Sequence, residues 1–321
     1  MDLHLLIDNL TNPALLFFFL GILAVQLKSD LEIPANSSKF ISLYLLFSIG
    51  FKGGQELSHS PYDPEILWSL LLGIGLAVFV PLYTYFLLRR RFNVANSGAI
   101  AASYGSVSAV TFVTAISFLD LEGIAYGGHM VAVMALMEAP SIVVGVLLIA
   151  VFDKHNSQAL PLPKVIRHSV TNGSVLLILG SLLIGFLASE DQAEGIAPFT
   201  TDIFKGFLAV FLLDMGITSG GEIGALLKKG WFALVFALLI PLINGCLTAA
   251  FTSAFITEPG NRFLFAILAA SASYIAVPAA MRLAVPRANP SLYLPMALAI
   301  TFPFNITLGM PIYLQIIQAV P

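Results

Sequence analysis

Two apolar stretches carry clusters of hydroxyl side chains. One reads Ala101-Ala-Ser-Tyr-Gly-Ser-Val-Ser-Ala-Val-Thr111 and the other Ala269-Ala-Ser-Ala-Ser-Tyr-Ile-Ala-Val-Pro278. A serine or threonine oxygen can ligate a hard cation such as sodium, and its O–H can donate to an anion. Gly105 and Pro278 can interrupt a helical ladder. An interrupted helix offers backbone carbonyls to a cation and half-helix N-termini to an anion. Small residues also let membrane helices approach closely, so one such stretch alone reads as packing. Two at matching positions read as a binding site, with Ser103, Ser106, Ser108, Thr111, Ser271 and Ser273 as ligands.

Two carboxylates lie deep in apolar sequence, Glu138 in Met137-Glu-Ala-Pro140 and Asp214 in Phe211-Leu-Leu-Asp-Met215. A carboxylate in lipid costs at least about 2.5 kcal/mol, so each must face protein or water. Each can ligate a cation or carry a coupled proton, or simply accept hydrogen bonds from a neighbouring helix. Pro140 implies irregular backbone near Glu138, which makes it the stronger candidate of the two. Thr301, Pro303, Asn305 and Thr307 add polar groups near the end of the chain, and Asn305 also fits interhelical hydrogen bonding. His129 can titrate, but its ordinary role is hydrogen bonding near an interface. His4, His59, His155 and His168 read as loop residues without ligand spacing.

The elements that position these groups follow from composition. Of 321 residues, 58% are hydrophobic and only 10% charged, and mean hydropathy is +0.92. A soluble domain carries about 25% charged residues, so a soluble enzyme is excluded and lipid is the solvent. The net charge of −3 gives no sign of a nucleic-acid partner. Cys246, the single cysteine, excludes an intrachain disulfide. The N-terminus lacks the basic region of a secretory signal. No phosphate loop, nucleophile elbow or zinc-protease motif is present, which argues against ATP-driven transport and intramembrane hydrolysis.

Ten apolar segments run over 12–27, 38–54, 65–88, 97–118, 124–152, 173–189, 200–221, 230–256, 261–283 and 290–319. Their lack of alternation excludes a β-barrel, and Trp68 and Trp231 lie near segment starts, as interfacial aromatics do. With both termini outside, twelve of the fifteen Lys and Arg residues fall in cytoplasmic connections: Lys28, Lys39, Arg89, Arg90, Arg91, Lys154, Lys164, Arg167, Lys228, Lys229, Arg282 and Arg287. Lys52, Lys205 and Arg262 fall outside. That bias orients the chain.

The predicted fold is therefore an all-α polytopic membrane protein. Residues 1–152 form a first set of five helices, 153–172 a cytoplasmic linker, and 173–321 a second set of five. Two odd-numbered sets in series insert with opposite orientation, the geometry of inverted-repeat transporters. Leu46-Phe-Ser-Ile-Gly-Phe-Lys-Gly-Gly-Gln-Glu56 parallels Leu212-Leu-Asp-Met-Gly-Ile-Thr-Ser-Gly-Gly-Glu222. Segments three and eight share Ala-x-x-x-Pro-Leu, four and nine share Ala-Ala-Ser, and five and ten share Pro140 and Pro303. Gly53-Gly54 and Gly220-Gly221 read as helix ends or breaks, and segments four and nine as broken helices.

Four runs resemble the sodium-dependent bicarbonate transporter family, whose cyanobacterial members serve inorganic-carbon uptake. They are Tyr104-Gly-Ser-Val-Ser-Ala-Val-Thr-Phe-Val-Thr-Ala115, Met134-Ala-Leu-Met-Glu-Ala-Pro140, Ala270-Ser-Ala-Ser-Tyr-Ile-Ala-Val-Pro-Ala-Ala-Met-Arg282 and Val285-Pro-Arg-Ala-Asn-Pro-Ser-Leu-Tyr293. The resemblance implies a protomer with core and gate parts in a trimer, moving like an elevator. It implies sodium and bicarbonate where segments four and nine cross. By motif, the binding positions fall on Gly105, Ser106, Ser108, Thr111, Ser271, Ser273, Tyr274 and Pro278. It also implies a PII-like cytoplasmic regulator. The chain departs from the family pattern at Tyr274, where an aspartate is expected, and at Glu138, which replaces an aspartate.

The function expected is import of a small anion, bicarbonate, coupled to sodium across a bacterial cytoplasmic membrane. Sodium is expected at Ser106, Ser108, Thr111, Ser271 and Ser273, with Glu138 linked to it. Thr301 and Asn305 complete the site, and no cofactor is expected. Two other readings stand beside this. One is a transporter of another small anion or carboxylate, with proton coupling. The other is a channel, or a membrane receptor for a PII-like signalling protein. Arg89–Arg91, Arg282 and Arg287 read most simply as contacts to membrane lipid.

Overall fold

The computed structural model describes residues 3–59, 64–153, 162–227 and 230–320. No strand occurs among them. In chain order the helices are α1 (Leu3–Leu10), α2 (Pro13–Gln26), α3 (Ala35–His59), α4 (Pro64–Leu88), α5 (Val94–Gly105), α6 (Ala109–Glu122) and α7 (His129–Phe152). There follow α8 (Leu162–Val170), α9 (Gly173–Leu187), α10 (Glu190–Ala197), α11 (Phe204–Leu227), α12 (Trp231–Phe251), α13 (Pro259–Ala270), α14 (Ala276–Ala284) and α15 (Pro290–Ala319).

Six stretches are long and apolar enough to cross a membrane: Pro64–Leu88, Val94–Glu122, His129–Phe152, Glu190–Gly224, Trp231–Ala254 and Pro290–Ala319. Two shorter helices, α2 and α9, are also apolar. Each of the ten predicted segments overlaps one helix or one broken pair. Not all ten qualify by length and hydropathy. Lys39, Lys52, Glu56 and several serines and glycines dilute α3, and a break divides α13 from α14. Trp68 and Trp231 sit at the beginnings of α4 and α12, both exposed.

Some sequence expectations need correction. The segment 153–172 contains α8. His4, His59 and His168 lie in helices, because short apolar patterns around them continue the helical turn. His155, Lys154, Lys228 and Lys229 lie outside the described residues. Arg262 is buried in the first turn of α13. Helices α1 and α10 had no counterpart among the predicted segments. The latter begins at Ser189, whose side chain caps the Gln192 N–H while Gln192 returns a bond to the Ser189 N–H.

Gly53-Gly54 and Gly220-Gly221 are not helix ends: α3 and α11 run straight through them. Close contacts with facing helices account for Gly54 and for glycines near Gly220, while nothing lies within 4 Å of a side chain at Gly221. A methyl group on Gly54 would overlap the Leu182 carbonyl oxygen of α9, and one on Gly185 would overlap the Phe51 carbonyl oxygen of α3. Likewise Gly21 of α2 sits against Leu213 of α11, and Gly216 of α11 against Phe18 of α2. Thus α3 pairs with α9 and α2 with α11 at backbone contact distance, the small-residue packing of membrane helices.

The broken pair α5–α6 lies at the centre. Of its apolar window 89% is buried, against 28% for α4. The second broken pair is equally central, since every residue of α13 from Gly260 to Ala270 is buried. At the N-terminal end of α13, the buried Arg262 donates to the Ala249 carbonyl at 3.3 Å and the Val320 carbonyl at 2.7 Å. It thereby satisfies carbonyls at two helix C-termini. Arg262→Met should lower stability by about 1–3 kcal/mol through those orphaned acceptors, with Arg262→Lys recovering part of it. Thermal unfolding of the purified protein reads both, and an unchanged midpoint for Arg262→Met would refute the capping role.

Candidate functional site

Both broken helices are ended and restarted by their own hydroxyls. The α5 helix starts under the Asn93 cap and ends at Gly105, after which Ser106 is extended. The Ser108 side chain caps α6 by accepting from the Thr111 N–H at 3.1 Å. The α13 helix ends at Ala270 with Ser271 extended. Ser273 Oγ then accepts from the Val277 N–H at 3.3 Å in the first turn of α14, where Pro278 follows. The hydroxyl clusters thus satisfy half-helix ends that a membrane interior would leave unpaired.

The two breaks cross and bond to each other. The Ser273 N–H donates to the Ser103 carbonyl at 2.8 Å, and the Ser103 hydroxyl donates to the Ser273 carbonyl at 2.5 Å. The Ser108 N–H donates to Ser271 Oγ at 3.2 Å, and Ser271 in turn donates to the Leu268 carbonyl at 3.1 Å. Each half-helix end is further held by a helix near a proline. Ser141, next to Pro140, donates to the Ala102 carbonyl at 2.8 Å, and Asn305, two residues past Pro303, donates to the Ala270 carbonyl at 2.8 Å.

Beside the crossing is a small cavity lined by Ser108, Glu138, Ser273, Tyr274, Ser42 and Ser174, with apolar residues between them. Its free space, about 20 Å³, has room for roughly one or two water-sized species. Glu138 is buried, and its Oε2 has no hydrogen-bond partner. The fully buried Ser106 hydroxyl is likewise unpartnered. Buried polar atoms are ordinarily paired, so the unpartnered Glu138 oxygen at the cavity calls for an explanation. A bound ion with its water would satisfy it. Among the described residues no group of three or more His, Cys, Asp or Glu could hold a metal ion. Any cation here relies on hydroxyl and carbonyl oxygens plus one carboxylate, a set suited to a weakly held hard ion.

Of the residues singled out in the sequence, Ser108, Glu138, Ser273 and Tyr274 line the cavity, while Ser103 and Ser271 build the crossing. Gly105, at the end of α5, packs against the Pro81 ring with no space for a side chain. Ser106, Thr111 and Pro278 are buried around the breaks but do not line the cavity. Thr301 is also elsewhere: it donates to the Ala237 carbonyl at 2.7 Å and accepts from Tyr104 at 2.8 Å. Asn305 holds backbone, as its interhelical reading had it. Asp214 accepts from Ser38 across the α3–α11 contact. His129, at the start of α7, lies 3.3 Å from Ser69.

The sequence reading missed Ser42 and Ser174, which come from α3 and α9 and face the cavity from the other side. Single serines near helix starts carry no local signal. Ser141 was also missed, although its place beside Pro140 mirrors Asn305 and Pro303.

No curated protein matches this chain. The profile of the Na+-dependent bicarbonate transporter superfamily matches residues 13–318, nearly the whole length. The chain therefore belongs to the Na+-dependent bicarbonate transporter superfamily and is a membrane transporter, not an enzyme.

Proposed function

We propose that this chain imports bicarbonate together with sodium, by alternating access of the crossing formed by α5–α6 and α13–α14. The observation that carries this reading is the cavity beside the crossing, which buried Glu138 lines with one oxygen unpartnered. Sodium takes oxygens from Ser106, Ser108, Thr111, Ser271 and Ser273, with Glu138 nearby. Bicarbonate lies toward the half-helix N-termini near Ser108 and Tyr274. Sodium beside the anion offsets the cost of bringing either into the membrane.

The protomer is a ten-span inverted repeat of residues 1–152 and 173–321. The exchange of partners supports this: segment one packs on seven and segment two on six, a pairing that a two-fold relation between the halves reproduces. Both termini lie outside a bacterial cytoplasmic membrane. Polar contacts support that alternation, because they join chain ends that it assigns to one side. Arg287 pairs with Asp153 at 2.5 Å, Asn96 Oδ1 accepts from the Asn289 N–H at 2.8 Å, and Glu65 accepts from Thr257 at 2.8 Å. The α2–α11 and α3–α9 pairs form the gate, against which the remaining helices move as an elevator core. Three protomers assemble, and a PII-like protein regulates the cytoplasmic face.

Uptake of labelled bicarbonate into proteoliposomes should follow an inward sodium gradient and fall to the protein-free background when potassium replaces sodium. Equal uptake in potassium would refute the coupling. A second reading, another small anion or carboxylate with proton coupling, is favoured by Tyr274 standing where the family pattern has an aspartate. A competition panel of small anions, run with and without a pH gradient, separates the two.

A further inference from the structure

A groove between α4 and α12 lies apart from the crossing. Its volume is about 250 Å³, and its walls include Leu76, Phe79, Val80, Leu247 and Phe251, with no charged residue among the lining. Phe79, Leu247 and Phe251 are 62%, 64% and 57% exposed, so the groove is continuous with the outer apolar faces of two membrane-crossing helices. We propose that it holds one acyl chain of a membrane phospholipid, and that the chain acts on the crossing behind it.

The chemistry of the walls selects this occupant. Two of the polar groups at the floor are already bonded to each other and to backbone. Tyr83 donates to Asn244 Oδ1 at 2.5 Å, and Asn244 Nδ2 donates to the Ala269 carbonyl at 3.2 Å. That leaves the Thr248 hydroxyl as the one other polar side chain of the lining, so the occupant meets an almost wholly apolar wall. An apolar cavity of about 150 Å³ suffices for benzene, so this larger groove accommodates a stretch of hydrocarbon. It opens into the lipid phase, where acyl chains are the solvent.

The floor of the groove is also the back of the crossing. Ala269 lines the groove two residues before Ser271, and its carbonyl is the one held by Asn244. Val80 lines it one residue before Pro81, whose ring closes on Gly105 at the end of α5. An acyl chain there wedges against the ends of both half-helices. The wedging rests on reading the crossing as the transport site; the binding of the chain does not.

The full-length protein is reconstituted in phosphatidylcholine liposomes doped with phosphatidylcholine carrying a diazirine in mid-chain. After irradiation, labelled peptides are mapped by mass spectrometry. Labels should concentrate on the groove residues of α4 and α12 relative to Leu183, Phe186 and Leu187 of α9, which are similarly exposed but line no groove. Leu76→Trp and Leu247→Trp, which fill the groove from opposite walls, should each lose that labelling and keep the labelling of α9. Equal labelling of both faces, or groove labelling unchanged in both variants, would overturn the site. So would a protein–protein crosslink through the groove, which marks a second copy as the occupant. Sodium-driven uptake by the parent should vary with acyl-chain length, and the Trp variants should lose that dependence. The same dependence in parent and variants would overturn the coupling alone. Absence of uptake by the parent would count against the transport reading and leave the labelling result standing.

Discussion

Glu138→Gln is expected to weaken sodium-driven anion uptake by roughly tenfold or more while leaving the protein at least as stable as its parent. The two effects come from the same observation. Glu138 is buried among apolar residues of α7, and one of its oxygens has no partner. Burying a carboxylate there costs at least about 2.5 kcal/mol, and the fold returns nothing through that oxygen. An amide of the same shape is cheaper to bury. The charge is worth keeping only if it meets another charge during transport. Interactions with a charged group are worth about 1.5–3 kcal/mol, and each 1.4 kcal/mol is about tenfold in binding. The loss should therefore appear as a weaker dependence on sodium, measured as uptake per folded protein across a sodium series. Glu138→Asp should fall between parent and amide, since it keeps the charge and shortens its reach. If Glu138 is instead a structural acceptor, Glu138→Gln lowers the thermal midpoint and leaves the sodium dependence of the surviving protein unchanged.

The sequence made the apolar segments legible because lipid imposes length and composition on each of them. It also made the two breaks legible. A hydroxyl cluster beside Gly105, or ahead of Pro278, has a local reason to end one half-helix and cap the next, and Ser108 and Ser273 do so. What was not legible depends on partners distant in the chain. Ser42 and Ser174 join the cavity only because α3 and α9 fold over it. The Gly-Gly pairs looked like helix ends because glycine is a poor helix former in isolation. For Gly54 and Gly220 the cause is a second helix more than 100 residues away, at Leu182 and Val25, whereas nothing approaches Gly221 within 4 Å. Nor did the sequence tell that the Thr301 hydroxyl bonds Ala237 and Tyr104. The π-helical stretches Met296–Thr301 and Asn305–Gly309 in α15 were also hidden. Pro303, lying between them, has no N–H to give, and a wider turn lets the helix continue around it.

The glycine crossings lead to an expected result with an internal control. On α9, Gly185 has the Phe51 carbonyl oxygen where its side chain would be, whereas a side chain at Gly180 would meet nothing within 4 Å. Helix propensity is the same for both changes and favours alanine by about 1 kcal/mol. Gly180→Ala should therefore raise stability by up to that amount. Gly185→Ala must push α9 away from α3, and overpacking against a rigid backbone costs about 1–3 kcal/mol. Two single-methyl additions five residues apart on one helix should thus move the unfolding midpoint in opposite directions. The same logic tests the relation between the two halves of the chain. Gly50 and Gly216 occupy matching places in the repeated motif, and each lacks room for a methyl group, against Ile178 in one half and Phe18 in the other. Gly50→Ala and Gly216→Ala should both destabilise. If only one does, the two crossings are not doing the same job, and the two-fold relation that motivates an inverted repeat loses its packing support. If both do, the motif spacing reflects one way of bringing two helices together, used twice between the two halves.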